Sequence, residues 1–391
     1  MLHREKALAA IEAKSEQFNG YEIQINEILG SYYQDLSALG KMSQAELTER
    51  LKEHLWPGAR PTKEQDQYES LIVPFSSRWD SHQQARSWAL EVLSGTCTIA
   101  VDGSQITPTK DISVPLGAVQ VGWFVNPHSK DKDYVKDISF EVFSPEELMD
   151  SEEGSGFPDW RINMARFQGE CLQASLLMEK YQDEENKPVC FFDGSLILSF
   201  IQQMQPVHQR QYLEAVLKLI ETSRETQVPL IGYIDSSYAK DLTCMLDLSQ
   251  GRSPQKVISD GVLLNRKMQW GDRSTVFRCA REDRVINYQG SKYYQDVLIC
   301  YLKTTKDRPP ARLEIPAWTL DEGVLDSVID IVRAECIVGT GYPYPLETAD
   351  AVAVLTHQDR TRFHRLFQEF AEREDLSLQF SRKSISKHYR R

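Results

Sequence analysis

The sequence predicts an α/β fold: a mixed sheet flanked by helices, with a helical N-terminal extension and a helical C-terminal segment. Two observations support this prediction. Between residues 96 and 235, short apolar, β-branched runs alternate with long amphipathic patterns, as expected for a sheet covered by helices. On both sides of that region, the apolar residues follow helical spacing.

The composition and the cysteine pattern argue against several classes of protein. The 391 residues are 41% hydrophobic and 26% charged, which is ordinary for a globular chain. The sequence has no apolar run of about eighteen residues and no N-terminal apolar segment typical of a signal peptide, and its seven scattered cysteines form no CxxC pair. We therefore expect a cytoplasmic protein with reduced cysteines, no membrane span and no zinc finger.

The net charge of −12 argues against a protein that coats DNA irrespective of sequence. It does not exclude a nuclease, because a carboxylate-rich site recruits metal cations that attract phosphate.

Residues 1–95 are predicted to form a helical N-terminal region. Ser43 and Glu46 have the spacing of a capping box and open an amphipathic helix over 43–55. A loop-rich stretch follows at 57–67, and a second helical pattern at 78–93. This region has no chemical signature, and a helical cap, a partner-binding arm and a lid all stay open.

The central region contains the pattern that defines the fold. Three strands, a helix, a strand, a helix and a strand follow one another, which is also the order of a ribonuclease H-like core. The first strand is expected to be buried and to stop at a tight turn over Asp102-Gly103-Ser104. The remaining segments are strands at 114–126, 137–144, 187–196 and 229–235, and helices at 161–181 and 209–226.

The rest of the chain completes the predicted organisation. Residues 240–315 are expected to be strands and loops that elaborate the sheet, and helical patterns return at 322–338 and 345–374. We therefore predict one domain over 96–360, followed by a helix and basic tail over 361–391.

Asp102 and Asp193 are the first candidate site residues. Each follows an apolar strand and precedes Gly-Ser. A strand end is rigid on one side and open on the other, which suits a carboxylate that holds a metal ion. Asp-Gly-Ser is also common turn chemistry, so a single copy says little. Two copies in one predicted sheet favour a site.

A two-metal site needs further carboxylates. On the helix between the two strands, Glu170 borders the apolar stripe and has Arg166 one turn earlier, so a surface ion pair is the alternative to a metal ligand. Glu179 and Glu141 are weaker candidates, and Glu141 is expected to face solvent. The apolar stripe is predicted to contain Met164, Cys171, Leu172, Ser175 and Met178.

The motif GTGYPYPLETADAVAVL over 339–355 is the last candidate. Gly-Tyr-Pro-Tyr-Pro makes a stiff aromatic turn, and the following helix starts with Glu347 and Asp350. Acidic residues there are often only partners of the helix dipole. Rigid tyrosines beside an acid are also suited to positioning a nucleotide.

The ordered series IAVDGS, RFQGE, FFDGSL and GYPYPLETAD resembles the NurA nuclease family over about residues 96–360. The resemblance implies a ribonuclease H-like fold, a homodimer, Mn²⁺- or Mg²⁺-dependent cleavage of single- and double-stranded DNA ends, and a hexameric HerA-like ATPase as partner in double-strand break repair. It also implies site roles. Asp102, Asp193, Glu170 and Asp350 match metal ligands, and Tyr342 matches an active-site tyrosine.

The chain departs from the family at one position. Some members have a histidine where this chain has Asp350, which cannot act as an imidazole base but can bind a metal ion as a hard oxygen ligand. His357 lies further along and is not a replacement.

Phosphate contacts are expected from basic residues, with a solvated, carboxylate-paired face as the alternative. The candidates are Lys240, Arg266, Lys267, Arg273, Arg278 and Arg281, and the tail residues Arg382, Lys383, Lys387, Arg390 and Arg391. The tail residues are more consistent with a flexible end than with a DNA clamp.

Two other functions compete with a nuclease. An actin-like ATPase also uses Asp-Gly turns at two strand ends, but Asp102 and Asp193 are only 91 positions apart, which is too close for two duplicated lobes. A non-catalytic scaffold that docks a motor ATPase is the second alternative, and it is supported by Asp350 at the histidine position.

Overall fold

The computed structural model describes residues 2–149, 159–184, 186–255, 257–282 and 293–379. Its helices are α1 (Arg4–Glu12), α2 (Ser15–Gly40), α3 (Gln44–Arg50), α4 (His82–Leu93), α5 (Pro145–Met149), α6 (Asp159–Tyr181), α7 (Pro206–Thr226), α8 (Asp241–Ser249), α9 (Asp260–Asn265), α10 (Trp318–Asp321), α11 (Leu325–Val338), α12 (Tyr344–Ala353) and α13 (His357–Arg373). Its strands are β1 (Gly58–Pro61), β2 (Ile72–Val73), β3 (Thr98–Ile106), β4 (Gly117–Asn126), β5 (Val135–Phe143), β6 (Val189–Asp193), β7 (Leu230–Ile234), β8 (Arg273–Ser274), β9 (Phe277–Ala280), β10 (Val297–Leu302) and β11 (Ala311–Pro316).

The chain divides into two compact units. The first contains residues 1–80, 234–283 and 292–317, and the second contains 81–233, 284–291 and 318–391. The domain boundaries proposed at residues 95 and 360 stay predictions. No helix of the described residues is long and apolar enough to cross a membrane.

The second unit has the strand order β7-β6-β3-β4-β5. β3, β4 and β5 are antiparallel neighbours, whereas β6 lies parallel to β3 and β7 parallel to β6. The long helices α6 and α7 connect the parallel strands, since a parallel connection needs a crossover. The predicted mixed sheet flanked by helices, in the order of a ribonuclease H-like core, is confirmed.

Two layers of helices cover this sheet. Gly117 and Val121 of β4 contact α6, whereas Gln120 and Gly122 face α12. Side chains alternate between the faces of a strand, so α6 and α12 lie on opposite faces. α7 packs against α6, and α4 packs against α11.

The first unit contains the order β1-β9-β10-β11, and β8 pairs with both β10 and β2. All six residues of β10 and of β11 are buried. Buried ion pairs hold this unit together, including Arg273 with Glu64 at 2.6 Å and Arg312 with Glu314 at 2.7 Å. Each pair keeps two desolvated charges satisfied.

Several sequence predictions are confirmed and others are wrong. The capping box at Ser43 and Glu46 is present, although its helix stops at Arg50. The N-terminal region is not all helical, because β1 forms within the stretch 57–67 that was expected to be loop and β2 forms shortly after it. Their pairing with β9 and β8 is long-range, so local composition cannot reveal it.

The predictions for the later segments are also confirmed in part. Residues 240–315 contain the helices α8 and α9 as well as strands. The helix expected over 345–374 is two helices, because Thr356 forms a new capping box with Asp359. The seven cysteines are free, and six of them are buried, as predicted. The basic tail at 382–391 lies outside the described residues.

Candidate active site

Asp102 lies inside β3 rather than at its end. The parallel pairing of β3 with β6 stops at Val101, but the antiparallel pairing with β4 continues through Asp102 and Gly103 to Ile106. The predicted tight turn after Asp102 is therefore wrong. The pairing with β6 stops just before Asp102, whereas the pairing with β4 continues past it. Asp102 therefore still follows the end of the parallel pairing.

Asp193 is the last residue of β6 and is exposed, as predicted. The following Ser195 accepts a hydrogen bond from the Ile197 N–H at 3.1 Å and donates one to the Ile197 carbonyl at 2.9 Å. This Asp-Gly-Ser is thus a true turn. In the first copy, Ser104 instead accepts the Leu355 N–H at 3.1 Å, which fixes the end of α12 against β3.

Asp102, Asp193 and Asp350 belong to one face of the sheet. Asp102 pairs with Gly122, which lies against Ala353 of α12, and α12 also contains Asp350. Asp193 pairs with Tyr233, whose ring packs edge-on against Tyr342 at 5.1 Å and whose hydroxyl is 3.5 Å from the Gly341 carbonyl. The turn before α12 therefore adjoins the ends of β6 and β7.

Gly339 and Gly341 make the turn before α12 possible. A Cβ at Gly339 would collide with the Tyr342 carbonyl, and Gly341 has φ +111°. Both positions need glycine because a side chain would clash or be strained there. Tyr342 is half-buried in this turn, while Asp350 is exposed on α12.

Glu170 approaches from the opposite face on α6. Only 4% of its surface is exposed, and its carboxylate forms an ion pair with Arg166. The predicted pair is confirmed, but its location on the surface is wrong. Gly103 explains how Glu170 reaches the strand, because a Cβ there would lie 2.8 Å from Arg166 Cγ and would also strike the Glu170 carboxylate.

The remaining sequence candidates lie elsewhere. Glu141 and Glu179 are exposed, as expected for Glu141. Leu172, predicted in the buried stripe of α6, is 61% exposed, and Phe167 and Ala174 are buried instead. The stripe is shifted because α6 packs against both the sheet and α7, which spacing along one helix cannot reveal.

Burial and mutual repulsion perturb the acidic groups. Burial raises the pKa of Asp102 to about 6; the Gly103 N–H opposes this rise, while nearby Asp193 and Asp350 add to it. Burial likewise raises the pKa of Glu170 to about 7, opposed by Arg166 and assisted by Asp102 and Asp193. These effects place Asp102 within electrostatic reach of Asp193, Asp350 and Glu170.

The four carboxyls do not form a closed metal cage. Within the described ranges, no three His, Cys, Asp or Glu side chains have the arrangement of a metal-binding group. Asp102 and Asp350 share a hydrogen bond, and Glu170 is bound to Arg166. The residues present still fit a divalent cation, because they supply four carboxyl groups and hard cations prefer oxygen ligands. Arg166 already places one positive charge beside Glu170.

The basic residues proposed to contact phosphate are mostly paired within the first unit. Arg273 is 3% exposed and bound to Glu64, so its proposed role in phosphate contact is wrong. Arg281 binds Asp241, and Arg278 donates to the Gln295 carbonyl at 3.1 Å. Arg266 and Lys267 are exposed, with Arg266 bonded to Asn26 and the Lys267 ammonium 4.3 Å from the Tyr33 ring.

Sequence reasoning missed two features of the site. The contact of Gly103 with Glu170 could have been suspected, because glycine inside a strand often marks a close approach. The role of Ser104 in holding α12 had no local signal, because its partner Leu355 is 251 residues away.

Three solved structures are similar to this chain. A crystal structure of NurA with manganese aligns with 88% of this chain and 97% of its own, at 10% identity and a TM-score of 0.41. The catalytic domain of human endonuclease V aligns with 72% of this chain and 88% of its own, at 13% identity and a TM-score of 0.32. Argonaute from Aquifex aeolicus aligns with 66% of this chain and 28% of its own, at 12% identity and a TM-score of 0.30.

No curated protein matches the chain. The NurA domain family matches residues 97–355, which contain the five candidate residues Asp102, Glu170, Asp193, Tyr342 and Asp350. The match covers well over half of the sequence, and the chain belongs to the NurA family.

Proposed function

We propose that this chain is a divalent-metal-dependent DNA nuclease that processes DNA ends in double-strand break repair. One observation carries the proposal: Asp102 of β3 lies within electrostatic reach of carboxyls from α6, β6 and α12, beside the ends of the parallel strands. Membership of the NurA family supports a nuclease.

The proposed metal ligands are Asp102, Glu170, Asp193 and Asp350, and the proposed ions are Mn²⁺ or Mg²⁺. Carboxylate oxygens are the ligands that these hard cations prefer. Burial raises the pKa values of Asp102 and Glu170, and the neighbouring acids add to the rise; a cation would offset both effects. When bound, such ions lower the pKa of a coordinated water and stabilise charge on the leaving oxygen.

The protein's own residues would contribute positioning. Asp102 and Asp193 are attached to paired strands, which fixes their backbones. Arg166 favours the ionised form of Glu170. Tyr342, anchored beside Tyr233, is proposed to orient the nucleotide at the scissile phosphate.

The test is cleavage of end-labelled single- and double-stranded DNA with Mn²⁺, Mg²⁺ or EDTA. We expect wild type to cut only with a metal ion, and Asp102→Ala and Asp193→Ala to lose at least about 100-fold in rate, as loss of a group that stabilises transition-state charge does. Glu170→Ala is compared with Glu179→Ala, which changes an exposed glutamate on the same helix.

The controls decide the outcome. Circular dichroism must show that each variant is folded, and Glu179→Ala must cut like wild type. Cleavage that survives both aspartate substitutions would contradict the proposed site. Wild-type protein that does not cut with either metal, also in the presence of a HerA-like ATPase, would contradict the nuclease itself.

The partners are proposals that rest on family membership. We propose a homodimer that works with a hexameric HerA-like ATPase, in the cytoplasm, on single- and double-stranded DNA ends. Light scattering measures the dimer, and stimulation of cleavage by the ATPase measures the partnership. A monomer at micromolar concentration would remove the dimer from the proposal.

A catalytically inactive scaffold is the second candidate. One observation favours it: Asp350 stands where some family members have histidine. Titration calorimetry with Mn²⁺ separates the two functions, because a scaffold does not need to bind the metal. Undetectable Mn²⁺ binding together with retained ATPase binding would favour the scaffold.

A further inference from the structure

A column of planar groups lies at the start of α6 and α7 in the second unit. The rings of Trp160 and His208 are stacked with centroids 3.7 Å apart and 29° between their planes. The Arg161 guanidinium lies 5.1 Å from the Trp160 ring, so a cation adjoins the column. All three side chains are partly accessible to solvent.

A second row of rings runs from the surface to the acidic site. Phe200 is 51% exposed and packs edge-on against Tyr212 at 5.4 Å. Tyr212 contacts Phe167 at 5.0 Å, and Phe167 contacts Phe192 at 5.9 Å. Phe192 directly precedes Asp193. A continuous row of ring contacts thus links Phe200 to the strand that ends at Asp193.

The two features border the same end of the sheet as the carboxyls. Gln105, three residues after Asp102, donates a hydrogen bond at 3.0 Å to Asn163, one turn from Trp160. Trp160 and Glu170 are separated by about 15 Å along α6. A few nucleotides of a single strand span that distance.

The charges here fit a nucleic acid strand rather than an apolar peptide. Arg161 brings a positive charge to the column while its guanidinium also donates a hydrogen bond at 3.0 Å to the Glu147 carbonyl. The positive end of the 21-residue helix α7 lies two residues before His208, at Pro206. The N-cap of that helix, Gln205, makes no side-chain capping bond, so its first N–H groups are not satisfied in that way. A base needs a planar surface and its phosphate needs positive charge, and this end of the unit supplies both.

We infer that Phe200 and the Trp160–His208 column form a stacking platform that binds unpaired bases of a single-stranded segment leading into the carboxylate site. The inference rests on the proposed nuclease function and adds where its substrate strand lies. Because every base has a planar face, the platform should bind single strands of any base sequence and should not bind paired bases. Paired bases are stacked within their duplex and cannot reach it, so a duplex end must open before it is engaged.

The test uses the full chain in EDTA, so that binding is measured without cleavage. Fluorescence anisotropy compares a labelled thymidine oligonucleotide with an abasic oligonucleotide of equal length and equal charge. We expect wild type to bind the thymidine strand at least about tenfold more tightly. Phe200→Ala and His208→Ala should each reduce this preference several-fold, whereas Phe200→Tyr and His208→Phe should retain it because they keep a ring.

The matched control is Tyr134→Ala, which removes another exposed aromatic side chain outside the platform and should bind like wild type. Equal affinity of wild type for the two oligonucleotides would overturn the platform, and so would unchanged preference in both alanine variants. Base-dependent binding by a wild type that never cleaves with Mn²⁺ would instead reject the nuclease and leave the platform intact.

Discussion

Arg166 and Glu170 form an ion pair in which the carboxylate is buried and the guanidinium is partly open to solvent. Both residues belong to α6, and their side chains pack against β3 at Gly103, beside the acidic site. Arg166 therefore stabilises Glu170 in the protein without metal. A bound cation would take over part of that role.

Arg166→Gln should destabilise the metal-free protein by about 1–2 kcal/mol, because it leaves a buried carboxylate without its cation, at a site that is partly screened by solvent. Addition of Mn²⁺ should raise the melting temperature more in this variant than in wild type. Thermal unfolding with and without Mn²⁺ measures both effects. Arg224→Gln, which removes an exposed pair with Glu221 at 3.8 Å, is the control and should change little. Equal metal responses in Arg166→Gln and wild type would show that the pair does not substitute for the ion.

Gly103→Ala should slow cleavage while the protein stays folded. The added Cβ would lie 2.8 Å from Arg166 Cγ and strike the Glu170 carboxylate, so both side chains must move away from Asp102. We expect at least about a tenfold loss of rate, because small displacements of catalytic groups are costly. Gly20→Ala, a helical position with nothing within 4 Å, should retain full activity and gain about 0.5–1 kcal/mol of stability. A fully active Gly103→Ala would mean that the position of Glu170 is unimportant for the reaction.

Ser104→Ala tests whether the first Asp-Gly-Ser serine has a structural role. Its hydroxyl accepts the Leu355 N–H at the end of α12, and losing this bond should cost about 1 kcal/mol of unfolding free energy. Because Ser104 is not among the proposed metal ligands, the rate of cleavage should stay within about threefold of wild type, in contrast to Asp102→Ala. Urea unfolding and the cleavage assay provide the two readouts. Loss of cleavage with unchanged stability would assign Ser104 to the chemistry.

The stability of the protein should depend on pH through Glu335, a fully buried residue of α11. Thr98 donates a hydrogen bond at 2.8 Å to its Oε1, and His128 Nε2 lies 3.3 Å from the same atom. Burial raises the Glu335 pKa from 4.5 to about 7, and burial lowers the His128 pKa. A raised carboxyl pKa means that the folded state binds its proton more tightly than the unfolded state does.

The contribution of Glu335 is therefore fully present below pH 4.5 and is lost as pH rises to about 7. Over that window the unfolding free energy should fall by up to about 3 kcal/mol from this group. Glu335→Gln keeps a hydrogen-bond acceptor for Thr98 but cannot titrate. The difference in stability between the variant and wild type, measured by urea unfolding at several pH values, should grow in favour of Glu335→Gln from pH 4.5 to 7. A constant difference would show that Glu335 is already ionised when folded.

The sequence determined much of the architecture by itself. Apolar periodicity predicted the five strands of the second unit and the helices α6 and α7. Each helix buries one apolar face and each buried strand is a short run of apolar residues, so both leave a local pattern in the sequence. The capping box at Ser43 and the strand-end position of Asp193 were also predictable, since both depend on neighbours within a few residues.

Only the tertiary structure decided which candidates meet. Asp102 lies opposite Gly122, Glu170 reaches the strand through the space at Gly103, and Asp350 is placed by the contacts of α12 with β4. Arginine is usually a surface residue, yet Arg273 is buried against Glu64, which lies 209 residues earlier. Local patterns specify secondary structure because backbone and side-chain preferences act over a few residues. Burial, pairing and pKa depend on contacts across hundreds of residues, which no local pattern contains.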